Sequence, residues 1–312
     1  MIAHDLLADA QMNFDNWDEI RTAYQVARVG TVSGAAEVLG VHHATVIRHV
    51  DSLEARLGTK LFQRHPRGYT PTEAGLQLLS VGQATEDQFN QLAARIAGAG
   101  EEVSGELVIT SLPGLSGLVM PALSELMREH PGLEIRYLTD PRVFRLEYGE
   151  AHVAVRAGSR PTEPDNVVQP LAINAAALYA APSYIERYGR PSGPDDLRGH
   201  RFVGTDTRDS RAPYYRWLTA NLPPESVVFR ANDPESVLAA TRAGVGLGFQ
   251  PVIEARHDPQ LVEVLGPRPE WESTLWLVTH IDLHRTHKVQ AALKALKAVA
   301  AQCESLRVPL PE

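Results

Sequence analysis

Residues 31–64, TVSGAAEVLGVHHATVIRHVDSLEARLGTKLFQR, constrain this chain more than any other stretch. Val46, Val50, Leu53 and Leu57 fall at i, i+4, i+7 and i+11, one apolar stripe at helical period. The spacing predicts a helix from His42 to Arg56, ended by Gly58 as a C′ glycine. His42, His43, Thr45, Arg48 and His49 are read on its outward side. A shorter helix precedes it, with Ser33 as its cap and Gly40 at its end. Two helices joined by a tight turn, the second with a buried stripe and a polar outer face, form the pattern of a helix-turn-helix. The second helix suits the major groove of DNA.

Net charge is −8, the wrong sign for a polyanion partner when read over the whole chain. Read locally, residues 42–72 hold Arg48, Arg56, Lys60, Arg64 and Arg67 against Asp51 and Glu54. That is a basic excess before His42, His43, His49 and His65 are counted. The acidic balance elsewhere favours solubility and weakens indiscriminate phosphate binding.

At 312 residues the chain exceeds one ordinary core, so two or more domains are expected. No apolar run approaches the ~18 residues that span a bilayer. The first 15 residues, MIAHDLLADAQMNFD, lack a secretory signal and read as a flexible extension. Cys303 is the single cysteine, which excludes an intrachain disulfide and fits a reducing compartment. A cytoplasmic protein that does not enter a membrane is expected.

Asn16 caps a first helix carrying Trp17, Ile20, Tyr24 and Ala27, which ends at Gly30. KLFQRHPRGYTPT, with Pro66-Arg67-Gly68 at its centre, reads as two short strands around a turn, the wing of a winged helix. Thr72–Ala97 reads as a long helix broken by Gly98-Ala99-Gly100. Its heptad line of Leu79, Phe89 and Ile96 is interrupted by Gly82 and Glu86, and it serves either as a dimerising linker or as a helix packed on its own domain. From Gly105 strands and helices alternate, which implies an α/β domain with a mainly parallel sheet. A second such run begins near Ala175.

The chain resembles the LysR-type transcriptional regulators. The matching residues are Ala35-Ala36, Leu39, Val41, Arg48, Leu53-Glu54, Leu57-Gly58, Leu61-Phe62, Arg64 and Thr72-Glu73-Ala74-Gly75, with ungapped spacing. Gly105-Glu106-Leu107, Pro121, Pro131 and Ala243–Gly248 match more loosely. The chain departs from the usual Ser-Gln-Pro-Ala-Leu-Ser-Arg of that family with His42-His43-Ala44-Thr45-Val46-Ile47-Arg48, and it has His152 where an aspartate is common.

The resemblance implies a multidomain α and α/β protein. A winged helix-turn-helix DNA-binding domain (16–73) is followed by a linker and dimerisation helix (74–100). A two-lobed effector domain (101–306) resembles periplasmic binding proteins, with lobe I about 105–169 and 276–305 and lobe II about 170–275. It further implies a ligand-responsive regulator, not an enzyme, without cofactor. Its partners are promoter DNA, a small-molecule effector, a second or further copies in a homodimer or homotetramer, and RNA polymerase as an additional candidate.

Ser33, His42, His43, Thr45, Arg48, His49, Arg64 and Arg67 are the candidate DNA contacts. Arg48 can reach a phosphate or a guanine edge, against a surface salt bridge to Asp51 or Glu54. His43 and Thr45 lie near the helix start, where base edges are reached. His42 either reads bases or caps the helix, and His49 meets phosphate or solvent. Arg64 and Arg67 flank the wing tip, placed for backbone phosphate or the minor groove, or simply solvated.

For the effector, the carboxyl ends of strands at the hinge of the two lobes are the expected place. Ser111, Leu112 and Pro113 follow the first strand, where free backbone N–H groups favour an anion. Thr205 and Gln250 follow later strands, and ordinary cap and turn roles compete for each. Arg142 would attract an anionic effector or lie on the surface.

Other patterns carry less. Gly244-x-Gly246-x-Gly248 lacks the spacing of a dinucleotide loop. His280, His284 and His287 lack a supporting carboxylate or cysteine framework, so no metal site is expected. The rival class is a solute-binding protein or enzyme whose helix-turn-helix binds protein. The missing catalytic motifs and secretion signal count against it.

Overall fold

Asn16 starts the first helix by accepting the Asp18 N–H at 3.2 Å. The computed structural model describes residues 16–66, 68–96, 103–140, 142–207, 210–303 and 306–307. The expected N-terminal extension, the Gly98–Gly100 break and Arg67 lie outside them. By packing the chain falls into two compact units: Met1–Glu101 with Arg145–Glu150, and Glu102–Phe144 with Ala151–Glu312.

The first unit runs α1 (Trp17–Val29), α2 (Val32–Leu39), α3 (His43–Leu57), β1 (Phe62–His65), β2 (Gly68–Pro71) and α4 (Glu73–Ile96). Gly30, Gly40 and Gly58 end the first three helices in the left-handed region. Ser33 does not cap α2. Thr31 does, with an extended backbone and its Oγ1 accepting the Gly34 N–H at 3.1 Å; Ser33 is already helical. Val46, Val50 and Leu53 are fully buried against Ala23, Val26, Leu61 and Phe62. The antiparallel β1–β2 pair is the expected wing, and the Tyr69 N–H joins it to the Gly30 carbonyl at 2.8 Å. Gly82, which interrupts the heptad line, sits where a Cβ would come within 2.5 Å of the Tyr24 ring. A glycine there lets α1 and α4 approach closely.

The second unit contains β3 (Gly105–Ser111), α5 (Ser116–Glu129), β4 (Leu133–Thr139), β5 (Val153–Ala157), β6 (Asn166–Asn174), β7 (Ala176–Ala180), α6 (Pro182–Tyr188), β8 (Phe202–Thr205) and α7 (Pro213–Asn221). It continues with β9 (Val227–Ala231), α8 (Pro234–Arg242), β10 (Gly248–Pro251), α9 (Val252–Ala255), β11 (Val262–Leu265), β12 (Ser273–His280), α10 (Ile281–His284), α11 (His287–Gln302) and β13 (Leu306–Arg307). One six-stranded sheet has the order β13-β6-β12-β5-β3-β4, with α5 and α11 packed together beside it. A three-stranded sheet, β10-β7-β11, and the β8–β9 pair build the other half around Phe202, Phe249 and Trp271.

The expectation of a mainly parallel sheet is corrected. Among the strand pairings of the described residues of this unit, only β3–β4, β3–β5 and β8–β9 are parallel. The chain leaves the large sheet on β6 and returns on β12, and that outgoing and returning pair runs antiparallel. β6 escaped the sequence reading because Pro170 interrupts it. The structure absorbs the proline with a register shift opposite Leu275 and Trp276, a bulge that tolerates a missing N–H. β10 begins only at Gly248. Ahead of it Leu247 makes a single bridge to Phe202.

Candidate nucleic-acid interface and ligand cleft

At 100° per residue, the side of α3 opposite Val46, Val50 and Leu53 holds Ala44, Arg48 and Ala55. All three are exposed. No carboxylate pairs with Arg48 among the described residues. The two acids weighed as its partners are committed elsewhere. Asp51 binds Arg64 at 2.6 Å, and Glu54 binds Lys60 at 2.7 Å and Arg64 at 2.9 Å.

Glu54 is 2% exposed and was not singled out from the sequence. Its Oε1 also accepts the Leu61 and Phe62 N–H groups at 2.9 and 3.2 Å. Burial works against its ionisation, but the Lys60 ammonium and these two N–H donors prevail, holding the carboxyl below its ordinary value. A carboxylate on the flank of the buried stripe thus pins the start of the wing to α3. Glu19 of α1, also buried, accepts Ser52 at 2.8 Å and pairs with Arg56. The two acids fix α3 from either side.

Arg64, read as meeting phosphate, the minor groove or solvent, pairs with Asp51 and Glu54, and its guanidinium lies 5.2 Å from the Tyr69 ring centre. His49 turns its ring toward α1. It is half-buried, and its Nδ1 lies 2.9 Å from Thr22 Oγ1. That hydroxyl already donates to the Asp18 carbonyl at 2.6 Å, so Nδ1 must carry the proton it donates to Thr22. Thr45 is half-buried, and His43 is exposed at the helix start. His42 is the N-cap residue but its side chain makes no cap bond, so capping is not the role its geometry favours.

In the second unit, Ser111 ends β3 at 4% exposure. Its hydroxyl donates to the Leu112 carbonyl at 2.9 Å and so accepts from the Tyr137 hydroxyl at 2.6 Å. Tyr137 was not anticipated. Leu112 and Pro113 are half-exposed in the following loop. Thr205 Oγ1 accepts the Thr207 N–H at 3.1 Å, an ordinary turn role. Gln250 pairs with Ala177 on β7 and is 4% exposed. Its Nε2 is buried without a hydrogen-bond partner among the described residues.

The loop after β3 and the segment after β10 are brought together. Glu254 Oε2 lies 3.3 Å from where a Cβ on Gly114 would stand, and β8, carrying Thr205, packs on β10. Burial, and then the charge of Glu235, push the Glu254 carboxyl up to about 7; Arg242, tied to Asp258 at 2.7 Å, opposes them weakly. Tyr214 beside it is pushed up to about 12 by burial and by that carboxyl. Arg142 is exposed on the loop after β4. It pairs with Asp140 at 3.7 Å and covers the Phe144 ring. His152 is fully buried, accepts the Val108 N–H at 2.8 Å, and is held neutral by burial, down to about 3. No three His, Cys, Asp or Glu side chains are grouped to hold a metal ion among the described residues.

Two family models match the chain. One, described as a bacterial regulatory helix-turn-helix protein of the lysR family, matches residues 17–76. The other, the LysR substrate binding domain, matches residues 100–301. The chain belongs to the LysR family of transcriptional regulators. It is a ligand-responsive regulator with a helix-turn-helix DNA-binding domain and an effector-binding domain. Among its relatives, the uncharacterized HTH-type regulator YhjC of Escherichia coli K12 is 28% identical over 254 residues, 77% of this chain and 83% of that protein. The activator TtdR of the same strain is 25% identical over 294 residues, 91% of this chain and 93% of its own. In fold, the chain is similar to ArgP from Mycobacterium tuberculosis, with TM-score 0.70 at 18% identity, over 90% of this chain and 96% of that one. Members of the family are transcriptional regulators rather than enzymes, and they bind DNA and effectors as oligomers.

Proposed function

We propose that α3 of this regulator lies in the major groove of promoter DNA, with Arg48 as its principal base or phosphate contact and His43 and Thr45 near the edges of the site. The carrying observation is the disposition of cations. Arg56, Lys60 and Arg64 are consumed by Glu19, Asp51 and Glu54, while Arg48 is exposed opposite the core with no acid paired to it among the described residues. Ser33 sits in the first turn of α2, exposed, and adds a phosphate contact. Arg64 then acts by stiffening the wing, and His42 and His49 meet DNA phosphate at the helix start and flank. Arg67 completes the contacts from the wing tip. The test is a fluorescence anisotropy titration with duplex from upstream of the protein's own gene. Tight binding that Arg48→Ala weakens supports the reading; equal affinity for that fragment and random duplex sinks it.

The same reading divides residues 101–306 into two lobes with the effector between them, at Ser111–Pro113, Thr205 and Gln250. Glu254 and the satisfied hydroxyl of Ser111 argue against the anionic effector first expected there. They favour a ligand that brings hydrogen-bond donors to Glu254 and an acceptor to the Gln250 amide. Binding would favour one assembly over another only through different affinity for each.

Homodimers form through α4. Val81, Phe89, Leu92 and Ile96 are exposed along it, and a groove of about 900 Å³ runs beside it over α1, lined by Trp17, Tyr24 and Phe89. Homotetramers, contact with RNA polymerase, a cytoplasmic location and the lack of any catalytic role complete the proposal. No described helix is long and apolar enough to cross a membrane.

A further inference from the structure

This inference rests on the DNA-binding reading above and adds a property of this chain's own recognition helix. The helix begins on two histidines where the family pattern usually has Ser-Gln. Both are exposed, and neither imidazole has a hydrogen-bond or ion-pair partner among the described residues. His49 follows on the α1 flank. Because its Nδ1 proton is given to Thr22, its only titratable nitrogen is Nε2. Neutral, that nitrogen presents a lone pair, which repels phosphate; protonated, it donates to phosphate.

We propose that DNA binding by this regulator takes up protons on the imidazoles of His42, His43 and His49, so that its hold on DNA tightens as the pH falls from 8 to 6.

In the free protein no carboxylate pairs with these imidazoles among the described residues. The carboxylates of the neighbouring elements are largely engaged: Glu19 by Arg56, Glu54 by Lys60 and Arg64, Asp51 by Arg64. Asp18 on α1 and Glu37 on α2 are exposed to water, as are the cations Arg21 and Arg48, and His65 on the wing. A docked duplex supplies the missing counter-charge at close range. Histidine is the side chain whose ordinary titration spans pH 5 to 8, so the complex binds more protons than the separated partners. Linkage then makes affinity depend on pH by up to about tenfold per unit for each proton taken up.

The experiment is anisotropy of a fluorescein-labelled 30-base-pair random duplex with the full chain, from pH 6 to 8 at constant ionic strength. The proposal expects binding at least about fivefold tighter at pH 6 than at pH 8. His42→Gln with His43→Gln, two exposed positions, should remove most of that difference, and His49→Gln, checked for folding by circular dichroism, should remove a smaller part. Binding that is flat with pH, or a full pH dependence in the double variant, overturns the proton coupling. No binding at any pH overturns the regulator reading beneath it.

Discussion

Arg64 Nη2 lies 2.9 Å from Glu54 Oε2, and this pair ties the first wing strand to the inner flank of α3. The geometry of the DNA-binding unit therefore depends on a carboxylate buried beneath its surface. Glu54→Ala leaves the buried Leu61 and Phe62 N–H groups without an acceptor, and we expect a loss of roughly 2–4 kcal/mol, since each such group costs ~1–3 kcal/mol. Hydrogen exchange across residues 43–71 of the full chain measures it. Unchanged protection there would remove the clamp from the account.

The same carboxylate sets an acid limit. Its folded value lies below the ordinary 4.5, so its stabilising contribution is complete above that pH. The contribution is lost as the pH falls through the folded value. Exchange protection of the wing should hold from neutrality to about pH 4.5 and decline below it, and Glu54→Gln should lack that decline.

Arg48 and Arg67 should fail differently. Arg48→Ala is expected to weaken binding to a preferred sequence by ~1–3 kcal/mol, the worth of one good base contact. Arg67→Ala should instead lower the salt slope by about one while leaving the preferred sequence intact. Selection from a random duplex pool, run with each variant, separates base reading from phosphate contact.

Along α4, Phe89→Glu places a charge on the exposed apolar line beside Trp17, 6.4 Å away ring to ring. Sedimentation equilibrium should show the wild type as dimer or larger and this variant shifted to monomer. A variant with unaltered mass would place the dimer contact elsewhere.

Much of the first unit was legible because its cues are local. Val46, Val50 and Leu53 announce their face by spacing alone, and Gly30 and Gly58 mark helix ends by the left-handed turn each must make. The clamp was not legible, because the donors to Glu54 come from residues seven and eight positions on, across a turn whose path spacing does not specify. Thr31 and Ser33 are both good cap residues, and backbone geometry chose between them. In the second unit, Pro170 hid β6, since a proline argues against a strand unless a bulge receives it. The hydroxyl that partners Ser111 was not legible either, because Tyr137 stands on a different strand.

Glu254 offers the sharpest pH test of the ligand domain. Its carboxyl is pushed up to about 7 by burial and by Glu235, against an ordinary 4.5. An acid raised in the folded state stabilises that state fully below its unfolded value, and the benefit fades as the pH rises through the folded value. The thermal midpoint of the ligand domain should therefore fall between pH 5 and pH 7.5 in the wild type. Glu254→Gln removes the titration and should flatten that part of the profile. The approach to Gly114 links the two halves, so the wild-type decline should be accompanied by rising exchange at the start of α5. A decline that persists unchanged in Glu254→Gln would assign it to other groups and leave Glu254 without a part in holding the halves together.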